Sequence, residues 1–303
     1  MDRSFAGATD TLIAMRKQPR ALVILGSGGM LGHVAALHFL EVYSGSIHCQ
    51  AKRPTGIQAI DQNLTLLDVR ETETFTRWLK SLGNVTVINA IAGKASRPGS
   101  TPDELLYLNA TFPRLLADEL DKKNNGSRLI QISSDGVFLG DKGSYTEKSV
   151  PDATDAYGFG KILGEVFHPP HLCIRTSLIG HSLVPANGLL DWFLFSKLPV
   201  EGYQKVFWNG VTTLELVRFL AYAVRNEITG LLHLGGDRLS KNDLLLKIRE
   251  VYSKETLVTA SDVPCIDRSL RSLRTDFNYT VPPVSAMLEE YRTWYSTRVI
   301  RGA

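Results

Sequence analysis

The chain has 303 residues, 44% of them hydrophobic and 21% charged, with a formal net charge of +3. That is enough apolar chain to bury a sizeable core in one large domain or two modest ones. The small charge, with no Lys/Arg block interleaved with aromatics, argues against nucleic acid, and Cys49, Cys173 and Cys265 are too few and too scattered for a disulfide framework or a Cys-x-x-Cys metal site.

No metal is expected, and a reducing cytoplasm is the default compartment. No segment approaches the roughly 18 apolar residues of a membrane span. Residues 1–19 contain Leu12, Ile13 and Met15 but no continuous apolar run, and Arg16 and Lys17 follow the apolar part rather than preceding it. They read as a short extension rather than a signal peptide.

From Ala21 the pattern is strand, turn, helix. An apolar run to Leu25 precedes Gly26, Ser27, Gly28, Gly29, Met30, Leu31 and Gly32, with a helix to about Val42. In this spacing Gly26 makes a tight turn, Gly29 lets backbone approach a pyrophosphate, and Gly32 lets helix and strand pack closely. Amides at the helix N-terminus then face the anion. A second strand over 46–51 ends at Lys52 and Arg53, where an NAD site usually places an acidic residue on the ribose. Two cations suit a 2′-phosphate instead, so the expected cofactor is NADP, with Arg53 favoured because its fork engages phosphate bidentately.

A third strand over 64–69 carries Asp68 and Val69 toward the adenine, and a helix over 71–82 follows. A fourth strand over 85–90 leads into Ala90, Ile91 and Ala92, where a dinucleotide can pass. The spacing of apolar residues predicts a helix over 103–120, interrupted by Pro113. It carries Asn109, whose amide can bridge water or backbone beside an active site.

Leu129, Ile130 and Ile132 form a short buried strand that ends in Ser133, Ser134 and Asp135. Asp152, Thr154 and Asp155 are candidate caps for a helix from Ala156 to Phe167, on which Tyr157 and Lys161 share a face. A phenol titrating near 10 is a poor acid at neutrality, and a fixed ammonium beside it is expected to lower that value. A serine hydroxyl would hold a carbonyl oxygen in line for the phenol's proton.

A sixth strand over 172–177 completes an alternation that predicts a Rossmann-type α/β fold, a doubly wound parallel sheet. Beyond Gly180 the chain is aromatic and loop-rich, with Pro185, Trp192, Phe193 and Phe195, before a helix to about Arg225 and a buried strand over 230–236. Ser240 with Asp243 caps a further helix, and a last one carries Met287, Leu288, Tyr291 and Trp294. The expected division is an extension over 1–19, an NADP-binding domain over 20–179, and a smaller substrate-binding lobe over 180–303 from which parts of 204–236 return to the first domain.

Several of these residues together resemble the extended short-chain dehydrogenase/reductase superfamily, most closely sugar-nucleotide reductases related to dTDP-4-dehydrorhamnose reductase. They are the Gly26, Gly29, Gly32 turn with Met30 and Leu31; Asn89 and Ala90; Ser133, Ser134 and Asp135 with Val137 and Phe138; Tyr157 and Lys161 with Gly164 and Glu165; and Arg175, Thr176 and Ser177. The resemblance implies that Ser134 binds the substrate carbonyl, Tyr157 donates the proton, and Lys161 holds the nicotinamide ribose while supporting Tyr157. NADPH would deliver hydride to C4 of a nucleoside-diphosphate 4-keto-6-deoxysugar, as in deoxysugar and polysaccharide biosynthesis. Ser134, Asp135 and Asn209 would touch substrate, and Lys197 and Lys205 are further donors for its diphosphate.

Gly136 stands where related dehydratases carry a second carboxylate, which argues against dehydration. It also stands near the cysteine of epimerase-reductases and where the closest reductases often carry an aromatic. His181 is placed suggestively for epimerisation, though a lone histidine is more often structural. A nucleotide-sugar epimerase of the same fold and a non-catalytic NADP-binding regulatory subunit are the alternatives. A homodimer through two helices is usual in the resembling family.

Overall fold

The protein is represented by a computed structural model, in which residues 20–93, 100–184 and 188–299 are described. The expected extension 1–19 and Pro185 lie outside the described residues.

In chain order the first half comprises β1 (Ala21–Leu25), α1 (Gly32–Val42), β2 (Ile47–Ala51), α2 (Gln58–Asp61), β3 (Leu64–Leu66), α3 (Thr72–Ser81), β4 (Val85–Asn89) and α4 (Pro102–Leu106). A π-helical turn, Tyr107–Thr111, leads into α5 (Phe112–Lys122), followed by β5 (Arg128–Ile132), α6 (Ala156–Leu163) and β6 (Leu172–Arg175). The second half comprises β7 (Leu178–Ile179), α7 (Leu189–Phe195), β8 (Val200–Tyr203), β9 (Val206–Trp208), β10 (Val211–Thr212), α8 (Thr213–Arg225) and β11 (Gly230–His233). It ends with β12 (Leu239–Ser240), α9 (Lys241–Val251), β13 (Val258–Ser261), β14 (Ile266–Asp267) and α10 (Val284–Arg298).

The sheet has seven strands in the order β11-β6-β5-β4-β1-β2-β3, all paired in parallel. It does not close at β6: β11 returns from the second half to pair Leu232 with Ile174. Side chains alternate across the sheet with period two. Leu22, Ile24, Ile88 and Ile130 join one core layer with α1 and α8, while Val23, Leu25, Val87 and Leu129 join the opposite layer with α3 and α5. Because both faces are covered, β4 and β5 are buried throughout, which is why these strands read as nearly continuous apolar runs. Each fully buried Leu, Ile or Val contributes about 1.5–3 kcal/mol.

The helical stretch expected over 103–120 is broken just before Pro113 into α4, the π-helical turn and α5. Pro113 occupies the first turn of α5, where a missing N–H costs nothing, and the π-helical turn before it absorbs the change of register. The helix bearing Tyr157 ends at Gly164, short of Phe167, and of the three candidate caps Asp155 does the work, accepting from the Tyr157 and Gly158 amides. The third strand ends at Leu66, so Asp68 and Val69 lie in the following loop.

Strand order reverses between β1 and β4, and in such sheets the crevice at the carboxyl ends of those strands is where a ligand enters. Short strands of the second half form separate small sheets, β12-β9-β14 among them.

Candidate active site

The glycine turn is built from the sheet outward. Gly26 has φ +78°, and a Cβ there would lie 2.9 Å from Ile91 Cγ1 and 3.3 Å from the Ala90 carbonyl carbon. The turn therefore packs directly on the segment after β4. At Gly32 a Cβ would lie 2.0 Å from the Gly26 oxygen, so the start of α1 can approach β1 only without a side chain. Gly28 is open: the nearest atom to an added Cβ is Ala51 Cβ at 3.9 Å. No side chain caps the N-terminus of α1. Uncapped amides beside open backbone fit a phosphate chain. Ser27 is fully buried and donates to the Ile24 carbonyl, so its hydroxyl is structural. Met30 sits against the approach to α7, where a Cβ on Gly188 would be 2.4 Å from Met30 Cε.

One residue that holds this turn escaped sequence reasoning. Gln50, buried within β2, accepts from the Gly26 amide at 3.1 Å and donates to the Leu67 carbonyl. A polar side chain in an otherwise buried strand was the available signal.

At the end of β2, Lys52 and Arg53 are exposed. Lys52 pairs with Asp68 at 3.1 Å, and Arg70 grips the same carboxylate at 2.7 Å. Burial opposes ionisation of Asp68, but the hydrogen bonds and charges of Arg70 and Lys52 prevail and hold its carboxyl well below the usual range. Asp68 is thus tied to two cations, while Arg53 forms no ion pair among the described residues.

The two serines after β5 part company. Ser133 donates to Glu165 at 2.7 Å, and Glu165 also takes both forks of Arg175 at 2.7 Å, a buried ionic cluster that ties α6 to β6. Ser134 turns the other way. Its hydroxyl donates to Asp135 at 3.1 Å and accepts from the Gly136 amide at 3.0 Å, and it acts to lower the titration of the Tyr157 phenol. The Tyr157 ring lies on Gly136, where an added Cβ would be 3.3 Å from Cε1. Lys161 is buried one helical turn on and donates to the Ile132 carbonyl at 3.0 Å. The three residues therefore converge at the carboxyl end of β5.

The direction of the Tyr157 titration differs from the expectation drawn from Lys161. Burial pushes the phenol above its ordinary value; the Ser134 hydroxyl opposes this, and the charges of Asp135 and Asp155 add to the rise. Desolvation of the phenolate sets the direction, and Lys161 is not among the groups that shift it. Asp135 is raised as well, chiefly by burial, against the charges of Lys241 and Arg268 and hydrogen bonds from Ser134 and Ser177.

Asn109 lies in the π-helical turn, fully buried, and both ends of its amide engage Gly93: the oxygen accepts from the amide at 3.0 Å and the nitrogen donates to the carbonyl at 3.1 Å. It pins the loop after β4 and positions backbone rather than touching a reacting atom. Asn209 is likewise committed, donating to the Leu270 carbonyl at 2.7 Å and accepting from the Leu270 amide at 3.0 Å. Lys205 is exposed and paired with Asp262, and Lys197 is exposed beside Leu198. His181 is bound to Asp191 at 2.6 Å and packed on Tyr291 and Tyr295 of α10.

The groups that do face Asp135 from the second half are Lys241, Arg268 and Ser177, with Trp208 donating to Ser177 at 3.0 Å. Sequence reasoning named Ser177 only as a strand-end residue and passed over Lys241 and Arg268, which look like ordinary first-turn and strand-end residues.

Asp121, near the end of α5, and His168 and His171, just before β6, form a cluster of metal-ligand type. His171 Nδ1 accepts from the Leu129 amide, so the neutral ring carries its proton on Nε2 and donates to Asp121 at 3.0 Å. That nitrogen has no lone pair to offer a cation.

The family model described as RmlD substrate binding domain matches residues 20–184, more than half of the chain. Among curated proteins none matches. The fold is similar to that of a hypothetical dTDP-4-dehydrorhamnose reductase from Sulfolobus tokodaii, 24% identical, with TM-score 0.69 over 83% of this chain and 91% of that one. It is also similar to the dTDP-4-dehydrorhamnose reductase of Bacillus anthracis in complex with NADP, 18% identical, TM-score 0.74, covering 91% and 99%. A dTDP-glucose 4,6-dehydratase of the same organism, in complex with NAD, is 14% identical with TM-score 0.74 over 92% and 97%.

Proposed function

Because the chain belongs to the RmlD substrate binding domain family, we propose that it is an NADPH-dependent reductase that converts the keto group of a nucleoside-diphosphate 4-keto-6-deoxysugar to the alcohol. The observation that carries this reading is the meeting of Ser134, Tyr157 and Lys161 at the carboxyl end of β5, beside an open glycine turn.

The nicotinamide supplies a hydride to the carbonyl carbon when bound. Ser134, turning its hydroxyl from Asp135 to the substrate, and Tyr157 present two hydroxyls to the carbonyl oxygen, which orients the ketone and disperses its developing charge. Burial keeps Tyr157 protonated at neutral pH, the form a donor needs. The alkoxide formed by hydride addition is more basic than a phenolate, so the proton passes from the Tyr157 oxygen to the substrate oxygen. Lys161 then offers a buried positive charge one turn along the same helix face as the phenolate. Lys52 and Arg53 at the rim of β2 suit a 2′-phosphate; β2 itself ends without a carboxylate, and the nearby Asp68 is already paired with Lys52 and Arg70.

Purified protein should oxidise NADPH, with stoichiometric alcohol formation, against at least one member of a panel of nucleoside-diphosphate 4-keto-6-deoxysugars. Silence across the panel, or redox-neutral isomerisation with retained cofactor, would remove this reading in favour of an epimerase.

A further inference from the structure

Lys241 opens α9 directly after the Ser240 cap, a place where a lysine is ordinarily solvated. Here it is partly buried, its ammonium 5.4 Å from the centre of the Trp208 ring. Among the described residues that ammonium forms no hydrogen bond or ion pair.

The neighbouring strands explain where it points its charge. β9 is the middle strand of three, with Ser240 of β12 and Asp267 of β14 both opposite Phe207. Side chains alternate across a sheet, so the residues flanking that row, Lys241, Trp208 and Arg268, share one face, and Phe207 and Asp267 the other. On the second face Arg238 stacks 3.4 Å from the Phe207 ring centre and is held by Asp267 at 2.8 Å. On the first face Lys241 lies over Trp208 and Arg268 donates to the Leu139 carbonyl at 3.4 Å, but neither has an ion-pair partner among the described residues. Both act instead on Asp135, the neighbour of Ser134, and Trp208 reaches the same carboxylate through Ser177.

Two cations against one carboxylate leave this face positive beside the candidate carbonyl site. Burial pushes Lys241 down to about 8, against the attraction of Asp135. An ammonium that has lost water without gaining an acceptor gains from any anion that binds it.

We propose that Lys241, flanked by Arg268, grips the phosphate-bearing part of the substrate and thereby sets which ketones the site accepts. The assignment rests on the reductase reading for its substrate, but not for its test. Thymidine diphosphate is titrated by calorimetry into NADP-saturated protein, for the unaltered chain, Lys241→Met and Lys241→Arg, with unfolding midpoints to verify each fold. Lys241→Met should bind at least about tenfold more weakly, and Lys241→Arg should recover to within about threefold of the unaltered chain. In turnover, Lys241→Met should raise KM by a similar factor with kcat within about twofold, as expected when binding is lost equally from substrate and transition state.

Equal binding by folded Lys241→Met, a folded Lys241→Arg as weak as Lys241→Met, or no binding to the unaltered chain at millimolar thymidine diphosphate would each overturn the assignment. Lost binding in Lys241→Met, with no keto sugar oxidising NADPH in the unaltered chain, would remove the reductase reading and leave the assignment of Lys241 standing.

Discussion

Ser134 and Tyr157 meet across Gly136: a Cβ on Gly136 would lie 3.2 Å from Ser134 Oγ and 3.3 Å from Tyr157 Cε1. A side chain at 136 must push one of the two hydroxyl carriers away. Gly136→Ala is expected to lower kcat about tenfold, because reacting groups tolerate little misplacement. The unfolding midpoint should move by only a few degrees, since the strain is small and local. A kcat equal to that of the unaltered chain would show that the pair adjusts without loss.

The two adjacent serines should separate cleanly in mutation. Ser133→Ala removes one bond to a Glu165 carboxylate that keeps both forks of Arg175, and should cost about 1–2 kcal/mol of stability with activity retained. Ser134→Ala should leave stability nearly unchanged and reduce kcat about 10²-fold. Chemical denaturation with steady-state rates on the same samples checks both, and the reverse pattern would exchange their roles.

Tyr157→Phe removes the proton donor while keeping the ring on Gly136. The rate of NADPH oxidation should fall about 10²–10⁴-fold, and NADPH affinity by fluorescence titration should change by less than about twofold. Undiminished turnover would take Tyr157 out of the mechanism.

Arg53→Glu places a carboxylate where a 2′-phosphate is expected. Lys52 is shared with Asp68, so Arg53 is the cation with no ion-pair partner among the described residues. The variant should raise KM for NADPH about 10–100-fold with little change for NADH. An unaltered NADPH-to-NADH ratio would move the phosphate contact elsewhere.

Stability should weaken on mild acidification. Burial pushes His171 and His233 below the ordinary value near 6.5. Between those lowered values and about pH 6.5 the unfolded chain binds more protons than the folded one, so stability rises with pH across that window. The unfolding midpoint should therefore be lower at pH 5.5 than at pH 7.5, and a midpoint unchanged or higher at pH 5.5 would contradict this account.

Much of the framework was visible before any coordinates, because it depends on neighbours along the chain. A strand buried on both faces needs a run such as Val85 to Asn89, a helix start needs Asp155 or Ser240 at its cap, and the glycine turn is written in three residues at fixed spacing. Tyr157 and Lys161 share a helix face for the same local reason.

The rest depended on segments far apart in sequence. Ser133 and Ser134 are chemically identical, and only the Glu165 and Arg175 cluster on one side and Tyr157 on the other tells them apart. Asn109 and Asn209 look like site residues until Gly93 and Leu270 occupy their amides. Lys241 looks solvated until Trp208 covers it. Periodicity and capping are contests between adjacent groups, whereas a side chain's remaining hydrogen-bond capacity and its desolvation are fixed by whatever the folded chain brings beside it.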